Sequence, residues 1–388
     1  MNRRETVLDP EQVLQTALEL SNQDRCAEVA ALLVRIIAEP WPIRSSGLFL
    51  GKAYDLACRA ILASQGHSDQ AKNTVRELCA DSVRRYGRQP WTDLYEGALQ
   101  HLAGEHDEAV QYYRAIKAET TTLLPMSNGY KTVLTLDETR KFAHDPVEGI
   151  SRPSGHISFD DIAAAPGPVV AVVAADHAYL VRHGHSFFQS VQAHGGGITT
   201  HLHLVNPQPE DYAFISDGVR SGAWPPLNLS TEVYDGPDSQ AYYASVRLLR
   251  APVLLDFYER PLLISDIDST YKDPILPFLP LVTSFDAGLF FKNNRHRYRA
   301  HPWQTIRAGS LMYAPTEAGR FFCNVVARLT MRTFDRYKGE DIWFIDQNML
   351  YHAWLLSRIE QWDLQTADFA CPLLVPVHRL GMTGFWLS

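Results

Sequence analysis

The sequence predicts an all-α N-terminal domain followed by an α/β domain, and three observations support this division. Up to about Lys117, apolar residues recur at intervals of three and four, which is the spacing of amphipathic helices. From Val169 onward, short apolar runs rich in β-branched residues alternate with helical segments, which is typical of a parallel or mixed sheet. Turn signals containing Pro and Gly lie between these regions. We therefore expect a helical domain at 1–120, a connector at 121–167 and an α/β domain at 168–388.

The composition is that of an ordinary globular protein and excludes several functional classes. Of the 388 residues, 46% are hydrophobic and 21% are charged, with a formal net charge of -8. An acidic chain without a basic stripe is not expected to bind nucleic acid. We find no signal peptide and no apolar run long enough for a transmembrane segment, so we expect a cytoplasmic protein. The five scattered cysteines form no C-x-x-C pair and indicate reduced, buried side chains.

The helical domain contains a weak internal repeat. Residues 65–71 and residues 103–109 each place Gly at a turn between two helical segments, with a small Ala early in the second. The second copy resembles a tetratricopeptide (TPR) unit, and such units stack into α-solenoids whose concave surface binds partners. We therefore expect a TPR-like solenoid of two or three helix pairs, with a protein or peptide as partner. The alternative is that these helices pack against the α/β domain and recognise nothing.

The α/β domain is predicted to alternate strands and helices up to a pair of carboxylates. In chain order, the expected elements are a strand at 169–175, a helix containing 187–193, strands at 199–205 and 229–234, a helix containing 242–249 and a strand at 261–264. The Gly run at 195–197 follows a helix rather than a strand. It therefore predicts the end of that helix and not a phosphate-binding loop.

Asp266 and Asp268 directly follow the apolar strand at 261–264. Residues two apart on an extended segment point to the same face, so we expect the two carboxylates to meet beyond the carboxyl end of the strand. Open α/β sheets bind ligands at that edge. Two like charges so close repel each other unless a cation neutralises them, and Mg²⁺ or Mn²⁺ commonly links carboxylates to substrate phosphates. The pair therefore predicts a metal–diphosphate site, although Asp-x-Asp also occurs in many solvated turns.

The second half of the chain resembles the GT-A glycosyltransferases, which transfer sugars from nucleotide-sugar donors. The resemblance runs from about Val169 to the C-terminus and depends on landmarks that follow the family's order. These are the strand before Asp176, the 244–249 segment with Arg247, the Asp-x-Asp strand at 262–268, the Ala-Gly strand at 306–313 and the Asp-Gln helix at 343–350. The resemblance implies a Rossmann-like mixed sheet with helices on both faces. It also implies a nucleotide-sugar donor, with UDP sugars as the leading class, and Mn²⁺ or Mg²⁺ as cofactor.

The resemblance also implies roles for individual residues. The metal ligands in the family correspond to Asp266, Asp268 and His378. The residues that contact the donor correspond to Asp176, Arg247, Asp266 and Gly309. Tyr179, an aromatic residue close to the end of the first strand, is expected to stack on the base of the donor. The catalytic residues near the transferred sugar correspond to Asp346 and Gln347. This last match implies a hexosyl or related transferase that retains the configuration of the sugar.

Two positions depart from the family's pattern. Retaining members often carry Asn before the Ala-Gly pair, where this chain has Arg307. The late metal-binding His is usually followed by Gly and a Lys-Pro-Trp tail, whereas His378 has only a nearby Gly within 379–381. An ordinary loop histidine is therefore the alternative for His378.

The other assigned residues have structural alternatives as well. Asp176 at a strand end is also suited to cap a helix. Tyr179 is an aromatic residue of a kind that often packs in a core. Arg247 carries a planar guanidinium that suits phosphate oxygens, but an ion pair with a carboxylate at the same sheet edge would suit it too. Asp346 and Gln347 lie among apolar residues and need partners, which are either a sugar or the backbone.

Two other functional classes compete with the transferase. The 266–270 segment also fits the Asp-x-Asp-x-Thr loop of haloacid-dehalogenase-type phosphatases, in which the first Asp is the nucleophile. That fold normally starts with this loop, whereas a long α/β segment precedes it here. The non-enzymatic alternative is a helical adaptor with an inactive transferase domain, which predicts no nucleotide binding.

Overall fold

The structure, a computed structural model, describes residues 9–39, 43–116, 128–145, 158–160, 167–237, 239–291 except 273, 276 and 278, 300–369 and 380–381. By its internal contacts the chain divides into two compact units. The helical unit comprises Met1–Thr135 and Lys292–Thr305, and the α/β unit comprises Leu136–Phe291 and Ile306–Ser388. Within the described ranges, no helix is both long and apolar enough to cross a bilayer.

The helical unit contains the helices that the apolar spacing predicted. They are α1 (Pro10–Asn22), α2 (Cys26–Ile37), α3 (Ile43–Ser64), α4 (Asp69–Tyr86), α5 (Pro90–Ala103) and α6 (His106–Ala115). Gly66 after α3 and Gly104 after α5 both have positive φ, which Gly adopts without strain. Ala71 and Ala109, early in the following helices, are fully buried. The repeat thus predicted both turns, while the solenoid remains a prediction.

Residues 300–305 complete the core of the helical unit, although they lie far along the chain. The rings of His301 and Trp303 stack with centroids 4.5 Å apart, and Trp303 meets Tyr113 of α6 edge to face at 5.3 Å. The Tyr113 hydroxyl lies 3.1 Å from Nδ1 of His301. All three side chains are buried. The predicted range 1–120 did not include this segment because local patterns carry no information about such distant contacts.

The α/β unit is built on a mixed sheet, as the alternation of elements predicted. In sheet order, its eight strands in the described residues are β1 (Ser158–Asp160), β4 (Leu227–Glu232), β3 (Thr199–Val205), β2 (Val170–Ala175), β5 (Leu262–Ser265), β8 (Ile306–Tyr313), β7 (Ala287–Phe291) and β9 (Thr366–Asp368). The four strands from β4 to β5 are parallel, whereas β8 is antiparallel to both β5 and β7. Two short strands, β6 (Thr270–Tyr271) and β10 (Leu380–Gly381), pair separately.

Helices pack on both faces of this sheet. The helices of this unit in the described residues are α7 (Leu136–His144), α8 (His177–His194), α9 (Pro209–Arg220), α10 (Ser239–Tyr258), α11 (Leu279–Val282), α12 (Glu317–Arg336) and α13 (Ile345–Ile359). One core contains Val173 of β2 and Phe187 of α8, and a second contains Val205 of β3 and Val246 of α10. Gly195 caps the C-terminus of α8, which confirms that the Gly run ends a helix.

The start of the α/β unit differs from the predicted boundary at 168. Helix α7 lies in the predicted connector but packs on α12 and α13. Ion pairs hold it there, between Glu138 and Arg336 at 2.7 Å and between Arg140 and Glu360 at 3.2 Å. Strand β1, also in the connector, pairs with β4. Turn signals marked the connector but carried no information about which unit its structured parts join.

Two buried histidines lie between β3, β4 and α10. The hydroxyl oxygen of Ser230 lies 2.8 Å from Nε2 of His201 and 2.7 Å from Nδ1 of His203. Burial lowers the pKa of each histidine to about 3. Both imidazoles are therefore neutral in the folded protein at neutral pH.

We expect acid to destabilise the α/β unit through these histidines. The pKa of an unfolded His is about 6.5, so the unfolded chain binds more protons than the folded one below that pH, and stability falls from about pH 6.5 towards pH 3. Each histidine changes the free energy of unfolding by up to about 1.4 kcal/mol per pH unit. His203→Gln keeps one donor and one acceptor but does not titrate, so it should flatten the pH dependence.

Urea unfolding at pH 7 and at pH 5 measures this effect. His144→Gln is the matched control, because the side chain of His144 is 51% exposed. An equal loss of stability on acidification in the wild type and in His203→Gln would show that His203 is not responsible.

Candidate active site

The predicted site residues follow the carboxyl ends of neighbouring parallel strands. Asp176 follows β2 and Asp266 follows β5, and these two strands are hydrogen-bonded neighbours. Their carboxyl ends therefore lie at one edge of the sheet, which is where open α/β sheets bind ligands.

Asp266 and Asp268 lie in a turn and not on an extended continuation of β5. The backbone N–H of Ser269 donates to the carbonyl of Asp266 at 3.1 Å, which closes the turn. The expectation that an extended segment aligns the two carboxylates is therefore wrong. The carboxylates interact nevertheless, because burial and the neighbouring Asp266 raise the pKa of Asp268 to about 6, against the opposing effect of Arg247. The turn thus holds two like charges close together.

Arg247 of α10 joins two of the predicted carboxylates. Its Nη2 lies 2.7 Å from Oδ1 of Asp266 and 3.6 Å from Oδ2 of Asp346. The guanidinium also donates to the carbonyls of Ala244 and Ala308. Arg247 itself is only 5% exposed. The ion pair considered as an alternative for Arg247 is therefore present, and it involves acids from two different elements.

An irregularity in β8 gives Arg247 access to that strand. Leu289 of β7 pairs with Leu311, but the next residue, Phe290, pairs with Arg307. Residues 308–310 are thus skipped by the β7 ladder, and the Ala308 carbonyl can accept from Arg247. On the other side of β8, the Gly309 carbonyl accepts from the backbone N–H of Asp266 at 3.2 Å. Gly309 therefore contacts the carboxylate turn through its backbone.

Asp346 and Gln347 lie in the first turn of α13. Phe344 immediately before the helix has φ 72°, a left-handed conformation that is an outlier for a bulky residue and often occurs near functional sites. Asp346 is 8% exposed, and its Oδ1 accepts from the backbone N–H of Gln347 at 2.7 Å. The Oε1 atom of Gln347 is buried without a hydrogen-bond partner among the described residues. A ligand hydroxyl would satisfy that oxygen.

Asp176 serves as the N-cap of α8. Its Oδ1 accepts from the backbone N–H of Tyr179 at 2.8 Å, which is the structural alternative considered for it. Tyr179 is 38% exposed and does not lie in a core. Burial raises the pKa of its phenol, and so do the charges of Asp268, Asp176 and Asp266. The Tyr179 hydroxyl therefore lies within the field of all three carboxylates.

The third metal ligand remains a prediction. His378 lies outside the described residues. Within them, no group of three or more His, Cys, Asp or Glu side chains is arranged to hold a metal ion.

The structure adds His177 and Asp211, which the sequence analysis missed. Nδ1 of His177 lies 2.6 Å from Oδ1 of Asp211, whose other oxygen accepts from the backbone N–H of Gln208 at 2.8 Å. Asp211 is fully buried, whereas the side chain of His177 is 38% exposed. A carboxylate that orients a half-exposed imidazole beside Asp176 is suited to ligand contact. The signal was the Gln-Pro-x-Asp helix start at 208–211, which predicts a cap but not its histidine partner.

Comparison with known proteins gives only partial structural likeness. No family model and no curated protein matches the chain. The apo-form glycosyltransferase GlyE of Streptococcus pneumoniae is 14% identical, with a TM-score of 0.35 over 53% of this chain and 46% of that one. The bifunctional glycosyltransferase WbbM is 12% identical, with a TM-score of 0.36 over 52% of this chain and 38% of that one.

Mouse xyloside xylosyltransferase 1 is 10% identical, with a TM-score of 0.33 over 52% of this chain and 84% of that one. The matched part thus spans less than half of the GlyE and WbbM chains. Because TM-scores below 0.5 do not establish a shared fold, the function proposed below rests on the residues of the site.

We expect Asp268→Asn to stabilise the metal-free protein. The folded pKa of about 6 exceeds the unfolded value of about 3.9, so ionised Asp268 costs stability above pH 6, and the cost disappears as pH falls towards 4. Allowing for solvent screening, the substitution should raise the free energy of unfolding by about 1 kcal/mol at pH 7.5.

Thermal unfolding in a chelating buffer at pH 7.5 and at pH 4 checks this expectation. Asp363→Asn is the control, because Asp363 is exposed. A loss of stability in Asp268→Asn at pH 7.5 would show that the carboxylate is favourably paired in the absence of metal.

Proposed function

We propose that this protein is a metal-dependent glycosyltransferase that moves a sugar from a nucleotide diphosphate sugar to an acceptor. The observation that carries the proposal is the arrangement of three carboxylates around one buried guanidinium at the carboxyl edge of the parallel strands. Asp266 and Asp346 contact Arg247, and Asp268 interacts electrostatically with both Asp266 and Arg247. These four groups carry three negative charges and one positive charge when ionised, a formal sum of about minus two.

A divalent cation fits this site. Burial and the charge of Asp266 raise the pKa of Asp268 although Arg247 opposes the shift, so a further positive charge beside these carboxylates would be favourable. Carboxylate oxygens are the ligands that Mn²⁺ and Mg²⁺ prefer, and two carboxylates leave open positions for phosphate oxygens and water. Asp266 and Asp268 would hold the ion, with His378 as a further candidate. When bound, the cation would supply Lewis-acid neutralisation of the leaving diphosphate.

The protein's own residues would orient the donor around this point. Arg247 fixes the carboxylate of Asp266, so that its remaining oxygen has a defined direction. Asp346 would stabilise the positive charge that develops on the sugar ring as the glycosidic bond breaks. Gln347 would accept a hydrogen bond from a sugar hydroxyl through its buried Oε1.

The nucleoside would lie beyond β2. Tyr179 offers an exposed ring for a base, while Asp176 and the oriented imidazole of His177 offer polar contacts to base or ribose. We propose UDP sugars as the donor class and retention of configuration as the outcome, both from the family resemblance. A protein or peptide acceptor bound through the helical unit is part of the same proposal.

A thermal-shift screen of nucleotide sugars with and without Mn²⁺ tests the function. A donor present at about 100 times its Kd should stabilise the protein by about 2.7 kcal/mol, which corresponds to a shift of several degrees in Tm. The expected result is a shift with UDP or a UDP sugar that depends on Mn²⁺. Absence of a shift with every nucleoside diphosphate, together with hydrolysis of a phosphate ester, would favour the phosphatase. No binding and no hydrolysis would favour the adaptor.

We expect Asp346→Asn to abolish most turnover without weakening donor binding. The substitution keeps the hydrogen bond to the backbone N–H of Gln347 but removes the negative charge beside the reacting sugar. The kcat for donor hydrolysis should fall by about 10²- to 10³-fold, with the Kd for UDP and Mn²⁺ changed less than about twofold. Exposed Asp335→Asn is the control. Equal turnover in Asp346→Asn and the wild type would remove Asp346 from the catalytic site.

A further inference from the structure

A buried polar network lies beneath α10, the helix that carries Arg247. The network consists of six residues from β3, β4 and α10 in which the polar atoms of successive members lie within 3.2 Å of each other: His201, His203, Ser230, Glu232, Tyr242 and Arg250. All six are at most 5% exposed. Glu232 is the centre, because Tyr242, Arg250 and His203 all approach its carboxylate.

The hydrogen bonds of this network can all run in one direction. The amide of Asn228 donates to the Tyr258 hydroxyl at 2.9 Å, so that hydroxyl is available to donate to Nδ1 of His201 at 2.7 Å. Nε2 of His201 can then donate to Ser230, which donates to Nδ1 of His203. Nε2 of His203 then carries the proton and lies 3.2 Å from Oε2 of Glu232, without the geometry of a hydrogen bond. The assignment agrees with two neutral histidines, so Glu232 and Arg250 carry the only formal charges within the network.

The Glu232–Arg250 ion pair fixes the position of α10 more than it adds to the free energy of unfolding. Both side chains are almost fully buried, and Nε and Nη1 of Arg250 have no hydrogen-bond partner among the described residues. A buried ion pair with unsatisfied donors recovers little of the solvation that it has lost. Its directional bonds do, however, fix the helix that bears it relative to β4.

Helix α10 benefits from such an external support because Pro252 lies inside it. Proline has no N–H to donate to the carbonyl four residues earlier and tends to kink a helix. Tyr242 and Arg250 connect the network to the half before Pro252, and Tyr258 connects it to the half after. Arg247 lies in the first half, one turn before Arg250. The position of its guanidinium therefore depends on how that half is held.

We infer that Glu232 is a positioning residue that acts through Arg250 and Tyr242 to place the guanidinium of Arg247 between Asp266 and Asp346. The inference rests on the proposed function for the role of Arg247 in turnover. Glu232 touches neither the carboxylate turn nor, in the proposal, any substrate. Its effect on the site is transmitted along one turn of α10.

The test compares Tyr242→Phe, which removes one hydroxyl from Glu232, with Glu232→Gln, which removes the charge. Donor hydrolysis with UDP sugars and Mn²⁺ is measured per folded molecule. We expect kcat to fall about fivefold in Tyr242→Phe and about 50-fold in Glu232→Gln, since displacement of a catalytic group by about an ångström costs up to about 10²-fold. KM should change less than about threefold, because displacement of a catalytic group affects turnover more than substrate binding. Both effects should disappear in an Arg247→Lys background, where the guanidinium is already lost.

Asp256→Asn is the matched control. Asp256 also forms an ion pair from α10, with Arg320 of α12, but its side chain is 70% exposed. This variant should leave kcat unchanged. A merely structural role for Glu232 predicts lower Tm with unchanged kcat per folded molecule, or equal losses in the wild-type and Arg247→Lys backgrounds, and either result overturns the inference. If Glu232→Gln does not fold, Tyr242→Phe and Arg250→Lys give the same comparison.

A second readout does not depend on activity. The coupling between Arg247 and Asp266 is measured by a double-mutant cycle on unfolding, in the wild-type and the Tyr242→Phe backgrounds. We expect the coupling to fall by at least half in Tyr242→Phe. An unchanged coupling overturns the inference, even if no sugar donor is hydrolysed. A reduced coupling without any donor hydrolysis supports the positioning role and counts against the proposed function alone.

Discussion

The bond between the Arg247 guanidinium and the Asp266 carboxylate connects the parts of the candidate site. Through Arg247, the turn after β5 is linked to α10, to the skipped residues of β8 and to the first turn of α13. A guanidinium holds its donors in one plane, so each partner constrains the direction of the others. Without this cation the remaining acids would face one another across a half-buried edge. The arrangement is therefore specific about geometry, and the formal charges of Arg247, Asp266, Asp268 and Asp346 sum to a negative value.

Sequence reasoning predicted the framework better than the details of the site. Periodicity predicted the strands at 199–205 and near 261–264, the helical N-terminal domain and the mixed sheet, because burial of one or both faces of an element determines the spacing of its apolar residues. The conformation of Asp266 and Asp268 could not be predicted from the sequence, because the same residues are compatible with a turn and with an extended strand end. The resemblance named Arg247, but only the structure shows that it contacts Asp266 and Asp346.

The features that were missed depend on contacts between distant residues. His177 and Asp211 are 34 positions apart, and the network around Glu232 joins three elements. The left-handed Phe344 could not be predicted because propensities place Gly or Asn in that conformation. Each of these features departs from the local conformational preference of its residues, because contacts between distant residues outweigh that preference near the candidate site. The buried histidines illustrate the same point, since an alternating strand pattern gives no indication that its polar members face inward.

The assignment of residues 300–305 to the helical unit has a practical consequence for dividing this protein into its two units. The polypeptide passes between the two units three times, at 135/136, 291/292 and 305/306, so a single cut does not separate them. A truncated protein that starts at Leu136 would keep Trp303 and His301 but lose Tyr113, their ring partner. The rings of Trp303 and His301 would then be exposed to water and favour self-association. Isolation of the α/β unit therefore requires that residues 292–305 be replaced with a short hydrophilic linker between β7 and β8.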